Sequence, residues 1–214
     1  MAKSALILDF GGVVTKTLFE LHRQTERNLG LAPGTLTWLG PLDPDTDELW
    51  RRVQLGELTE RAYWRRRASE VGRLAGENWD DAKTMLRRCL GSNPNAIIRP
   101  EAARTIRRLK ERGAKVAVLS NELDRFYGPE LRSRLDLLSE MDVIVDGTYT
   151  DIFKPDPRAY ELCLHALGAN ASEALFVDDS LRNVEGARGA GLDALHFDVR
   201  LPAAGYVRIQ DFFP

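Results

Sequence analysis

The sequence predicts a doubly wound parallel α/β sheet with a small helical domain inserted after its first strand. Three observations carry that prediction. A short apolar run at residues 5–8 opens the chain and ends on Asp9. From residue 95 onward, apolar segments of strand length alternate with amphipathic helical segments. Between the two, residues 17–94 show helical periodicity and no convincing buried strand. Parallel strands buried on both faces read as continuous apolar runs, and intervening helices supply their crossovers. The expected domains are therefore an α/β core, 1–16 with 95–214, and a helical cap, 17–94.

Taken in order, residues 5–8 form the first strand, and Gly11-Gly12 allow a sharp turn beyond it. Within the insertion, Pro33-Gly34, Pro41 to Pro44, Gly56 and Gly72 to Gly76 break the helices. All four tryptophans, Trp38, Trp50, Trp64 and Trp79, fall here and read as that domain's own core. Residues 101–112 make an amphipathic helix, with Ala102, Ile106 and Leu109 on one face, arginines on the other and Gly113 as its stop. The second strand is 114–119 and the third 141–145. Residues 156–167 form a helix, with Pro157 in the first turn and Gly168 at the end. A buried strand at 174–177, a helix at 181–190 and a strand near 194–197 complete the sheet. Gly186, Gly189 and Gly191 fall at a helix end rather than after a strand, so they mark packing and a helix stop, not a dinucleotide loop.

The 214 residues are 43% hydrophobic and 29% charged, which suits a soluble globular protein with one sizeable core. A net charge of −2 gives no electrostatic footprint for nucleic acid. Arg51-Arg52, Arg65-Arg66-Arg67 and the arginines of 104–112 read as solvated helix faces. Cys89 and Cys163 lack CxxC spacing and read as buried free thiols of a reducing cytosol. No apolar stretch approaches the ~20 residues that span a bilayer, and no secretory leader precedes the first strand. The expectation is a cytoplasmic monomer or homodimer with a small anionic substrate, and neither nucleic acid nor membrane as partner.

Four pieces fall at the carboxyl ends of the expected strands: Asp9, Ser120-Asn121, Lys154-Pro155, and Asp178-Asp179 with Asn183 beyond. Strand ends in an open α/β sheet converge on one edge, so the four describe one site. Two adjacent carboxylates at a buried strand end repel unless a cation lies between them. Asp9 and Asp179 can hold Mg²⁺, with Asp178 and Asn183 outside it, because that ion takes few carboxylates and keeps its water. Lys154 balances the carboxylates and the substrate's oxygens; the Ser120 hydroxyl and backbone N–H groups, Gly12 among them, bind the rest. Asp9 is then placed to attack phosphorus and form an aspartyl-phosphate.

In order and spacing, LILDFGGVV, VLSNE, KPDPRAYE and FVDDSLRNVEGARGAG resemble the motifs of the haloacid dehalogenase superfamily of hydrolases. The likeness covers nearly the whole chain. It is similar within that superfamily to the phosphatase domains related to soluble epoxide hydrolase, Gly56-Glu57-Leu58-Thr59 included. The resemblance implies Asp9 as nucleophile, Ser120 and Lys154 around the substrate, Asp179 as direct Mg²⁺ ligand and a backbone carbonyl at Gly11 on the metal; Asn121 is expected beside Ser120 on the transferring group, and Asp178 to act through water. It also implies a cap whose residues set specificity, with Arg51, Arg52 and Trp50 as candidates.

Phosphatases of the superfamily carry a second aspartate, the general acid and base, where this chain has Gly11. A slow phosphatase that favours acyl or aryl phosphates follows from that loss. Dehalogenases of the superfamily also lack that aspartate, since halide leaves without a proton, but use no Mg²⁺ and usually lack the Asp-Asp pair. A third reading is a phosphometabolite-binding protein with a vestigial site. His22, His165 and His196 are too scattered for a triad or a zinc site. Glu122 and Asp124 follow the second motif, where capping or exposure is the plainer role and Asp124 is the candidate substitute proton donor.

Overall fold

The computed structural model describes residues 3–213, which form two compact units. One comprises the chain up to Lys16, Ile98–Asp124 and the chain from Leu135; the other comprises Thr17–Ile97 and Arg125–Arg134. The break expected at 94/95 thus falls three residues later, and residues 125–134, expected in the core, group with the helical unit. Their contacts explain it: Asn95 Nδ2 donates to the Arg134 carbonyl at 3.0 Å, Arg134 Nη2 donates to the Ser92 carbonyl at 3.0 Å, and Phe126 packs edge-on against Trp64.

The core unit is built on β1 (Ala5–Leu8), β2 (Lys115–Ser120), β3 (Val143–Asp146), β4 (Ala174–Asp178) and β5 (Asp193–His196), all paired parallel in the order β3-β2-β1-β4-β5. Ala5 and Ile7 pack with Ala159, Tyr160 and Cys163 of the helix Pro157–Leu167 and with Ala187 of Leu181–Gly189. Alternate residues face opposite sides of a strand. Leu6 and Leu8, equally buried, therefore belong to the other face, where Pro100–Glu111 packs on β2 and Pro202–Gln210 packs on Pro100–Glu111. β3 starts two residues later than expected because Asp142 caps the edge, its Oδ2 accepting the Val116 N–H at 2.7 Å.

This order makes the carboxyl end of β1 the switch point of the sheet. The chain leaves β1 for β2 and β3 on one side, then returns to β4 and β5 on the other. Ligands of open α/β sheets bind in the crevice so formed. Gly186 keeps that edge tight, since a Cβ there would lie 2.5 Å from Pro155 Cβ.

The helical unit contains His22–Leu29, Glu48–Gln54, Glu60–Leu74 and Ala82–Leu90. Thr59 caps the third of these by accepting the Ala62 N–H. Phe19 is the hub of an aromatic cluster with His22, Trp38, Trp50, Tyr63 and Trp64. Beside it, buried Asp47 accepts from Tyr63 Oη at 2.7 Å and Arg67 Nη2 at 2.6 Å, while the Arg67 guanidinium lies 4.6 Å from the Trp38 ring centre. Arg67 is therefore not on a solvated face, unlike Arg65 and Arg66, which are exposed. Burial pushes the His22 imidazole down to about 4.

The unfolded chain takes up a proton near pH 6.5 and the folded chain only near 4, so stability of this unit falls as pH drops between those values. The expected loss is about 3 kcal/mol. Tryptophan fluorescence during urea unfolding reads this unit alone, because all four tryptophans lie in it. His22→Phe should flatten the pH dependence; an unchanged slope would contradict the assignment.

Candidate active site

Asp9 directly follows β1, and its N–H donates to the Val177 carbonyl at 2.8 Å. Asp178 ends the neighbouring strand β4, and Ser120 ends β2 on the other side. Parallel register alone therefore brings three of the expected residues to one edge.

Lys154 reaches them from the loop before Pro157–Leu167. Its Nζ lies 2.5 Å from Asp9 Oδ1 and 2.7 Å from Asp178 Oδ2, with its side chain only 1% exposed. The ammonium also lies 5.4 Å from the Phe176 ring centre. One cation thus serves two buried carboxylates. Burial pushes the Asp9 carboxyl up to about 7, which Lys154 opposes and the Asp178 charge reinforces. Lys154, held between the two carboxylates, moves upward from its ordinary value although burial works against it.

The remaining contacts fix this cradle. Asp178 also accepts from Asn183 Nδ2, at 3.1 Å to each oxygen, and from the Ser180 N–H at 2.8 Å. Both of its oxygens accept from protein donors, so Asp178 is part of the lysine cradle. Asn121, expected to hold the transferring group, grips the Lys154 main chain: its Oδ1 accepts the Lys154 N–H at 2.7 Å and its Nδ2 donates to the Lys154 carbonyl at 3.1 Å.

Gly11 and Gly12 lie within the wide turn Phe10–Val14. Gly12 has φ +78°, and a Cβ there would stand 2.6 Å from Asp179 Oδ2. Gly11 has φ −68° and ψ 126°, and the Cβ it lacks would meet only Asp9 Oδ2, at 3.9 Å. Carboxylates of Asp9 and Asp179 therefore flank the turn. Among the described residues no three His, Cys, Asp or Glu side chains converge on one point. Two carboxylates at the turn make a hard, sparse oxygen set, which fits Mg²⁺ with retained water and does not fit zinc.

Two buried groups were not foreseen. Tyr160 Oη donates to the Asn183 carbonyl at 2.7 Å, which ties the third motif to the fourth. Asp146, the register partner of Ser120, accepts the N–H groups of Leu123 and Asp124 at 3.0 and 2.8 Å and so shapes the loop after Ser120. Asp124 is buried and takes the Tyr149 hydroxyl at 2.6 Å, so it is not the exposed residue expected from the sequence. His165 is exposed on its helix, and His196 Nε2 lies 3.0 Å from the Asp179 carbonyl oxygen. Cys89 and Cys163 are free and buried. In the helical unit Arg51 pairs with Glu48, Arg52 lies 3.5 Å from Glu57, and Trp50 packs on Phe19 and Tyr63. No helix among the described residues is long and apolar enough to cross a membrane.

Comparison with known proteins adds a family. The model for "haloacid dehalogenase-like hydrolase" matches residues 3–191. (S)-2-haloacid dehalogenase 4A of Burkholderia cepacia is 31% identical over 187 residues, 85% of this chain and 79% of that protein. Phosphatase MT3486 of Mycobacterium tuberculosis is 36% identical over 99 residues, 46% of each. Mouse acyl-CoA dehydrogenase family member 10 is 29% identical over 199 residues, 91% of this chain but 18% of its own length. The chain thus spans less than half of two of these three relatives. A crystallised dehalogenase superposes with a TM-score of 0.59 at 22% identity, covering 92% of this chain and 85% of that one, a likeness of fold.

Proposed function

This chain belongs to the haloacid dehalogenase-like hydrolase family, and from that premise we propose that it is a Mg²⁺-dependent phosphatase acting on small phosphate esters or acyl phosphates. The observation that supports it best is the second carboxylate at the turn, Asp179, whose Oδ2 lies against Gly12 while Lys154 is shared by Asp9 and Asp178. A halide-displacing site has no need of a cation-binding carboxylate there. Phosphatases among the relatives agree with this reading.

Asp9 and Asp179 carboxylates, with the Gly11 carbonyl, would hold the metal, which supplies positive charge to the phosphoryl oxygens. Lys154 keeps Asp9 oriented through Oδ1, and the other oxygen, on the Gly11 side, attacks phosphorus. The bond to the leaving oxygen breaks as the aspartyl-phosphate forms. Water then attacks phosphorus, releasing phosphate and restoring the Asp9 carboxylate. Ser120 Oγ and the N–H groups of the turn take the transferred oxygens. No acid stands at Gly11, so the leaving oxygen takes its proton from solvent and good leaving groups react fastest. The helical unit, as a cap, would exclude water and choose the substrate. The protein works as a cytoplasmic monomer or homodimer on this reading.

One observation favours a second reading. Gly11 also suits carbon–halogen cleavage, in which Asp9 attacks carbon, halide departs unprotonated and water hydrolyses the ester; the Burkholderia dehalogenase is 31% identical over 85% of this chain.

Phosphate release from acetyl, p-nitrophenyl and alkyl phosphates, with Mg²⁺ and with EDTA, separates the two, with chloride release from 2-chloropropionate run alongside. Expected is turnover that needs Mg²⁺, vanishes in Asp9→Asn and falls from acetyl to alkyl phosphate. Chloride release indifferent to EDTA would replace the phosphatase reading.

A further inference from the structure

Three consecutive carbonyls of the turn after Asp9 are captured by two segments remote in sequence. Arg99 Nε donates to the Gly12 carbonyl at 3.0 Å, Tyr206 Oη donates to the Val13 carbonyl at 2.5 Å, and the Arg99 N–H donates to the Val14 carbonyl at 3.0 Å. Phe197 joins the two donors: the Arg99 guanidinium lies 5.9 Å from its ring centre, and its ring meets Tyr206 edge-on at 5.2 Å. All three side chains are buried, with exposures of 2% for Arg99, 1% for Phe197 and 3% for Tyr206.

We infer that Arg99 and Tyr206 are positioning residues that hold the nucleophile turn in its working shape, an assignment that rests on the phosphatase reading for its rate readout. The turn needs holding. It contains two non-helical residues, and its Gly12 is in the left-handed region, where a Cβ would stand 2.6 Å from Asp179 Oδ2. A charge-assisted bond from a guanidinium to a backbone carbonyl is about twice as strong as a neutral one and strongly directional. Displacement of about 1 Å in a reacting group costs about 10²-fold in rate.

The test uses Tyr206→Phe, Arg99→Met and Arg99→Lys in the full chain. Tyr206→Phe removes one oxygen and leaves the ring packing, so it separates positioning from folding. Hydrogen exchange of the segment 9–16 is expected to quicken about tenfold in Tyr206→Phe and more in Arg99→Met, with the strands of the sheet unchanged. With p-nitrophenyl phosphate and Mg²⁺, kcat should fall about tenfold and about a hundredfold respectively, with KM within twofold and Arg99→Lys in between. Exchange at 9–16 equal to wild type, or wild-type kcat with a merely lowered melting temperature, would overturn the assignment. Were the wild type to show no Asp9-dependent phosphate release, the phosphatase reading would fail, and exchange at 9–16 would decide the clamp by itself.

Discussion

Lys154→Met should lower phosphatase turnover by about 10³-fold and destabilise the core unit by about 3–5 kcal/mol. Both effects come from one atom. Nζ touches Asp9 at 2.5 Å and Asp178 at 2.7 Å, in a place where the lysine and Asp178 side chains are each 1% exposed. Without it two carboxylates remain side by side in low dielectric, and one must take a proton. Asp9 is the one to do so, because burial already holds its carboxyl near 7 while Asp178 keeps Asn183 and the Ser180 N–H. A protonated Asp9 is no nucleophile, so the kcat profile of the variant should move to higher pH. Stability moves the opposite way. The folded variant binds a proton that the unfolded chain has released above about pH 4, so its stability falls as pH rises toward the new folded value. Urea unfolding of wild type and variant at pH 5 and pH 8, beside kcat–pH profiles, checks both. Turnover within tenfold of wild type at pH 7 would show that Lys154 is not central to the site.

Most of this site was legible because it lies at strand ends. β1 and β4 are short runs without a single polar residue before their closing carboxylates, the length and pattern of strands buried on both faces. Once the sheet is parallel, Asp9, Ser120 and Asp178 must share an edge. What resisted reading was whatever depends on contact across the chain. Asn121 and Lys154 are 33 residues apart, and nothing in either segment shows that the amide of one matches the peptide of the other. Arg99 stands at the head of an arginine-rich helix, where a solvated face is the economical reading; its bond to Gly12 spans 87 residues. Arg67 was hidden likewise, beside Arg65 and Arg66, although Asp47 buries it. The helix Pro202–Gln210 escaped because its buried face has only Gly205, Tyr206 and Ile209, too few apolar positions to set a period. In each case the charge or the short pattern is local, whereas the partner that decides its role is not.

Gly11→Asp should raise turnover of alkyl phosphates by about 10²- to 10⁴-fold, the usual worth of a placed general acid and base. The backbone permits the change. With φ −68° and ψ 126°, position 11 is in a region open to any residue, and it is exposed. The added Cβ would meet only Asp9 Oδ2, at 3.9 Å, an ordinary contact. From there a carboxyl can protonate the leaving oxygen and then take a proton from the attacking water. The gain must depend on the leaving group. An alkoxide needs the proton and should gain most; acetyl phosphate and p-nitrophenyl phosphate need little help and should gain least. A flatter dependence of rate on leaving-group acidity, with a new limb in the kcat–pH profile, is the expected signature. Gly11→Asn supplies the same bulk without a proton and should show neither, which separates acid catalysis from a mere change of shape. Halide needs no proton to depart, so a dehalogenase would gain nothing from the same substitution. A variant that stays folded, binds substrate and hydrolyses alkyl phosphates no faster than its asparagine counterpart would mean that proton supply is not what limits this site.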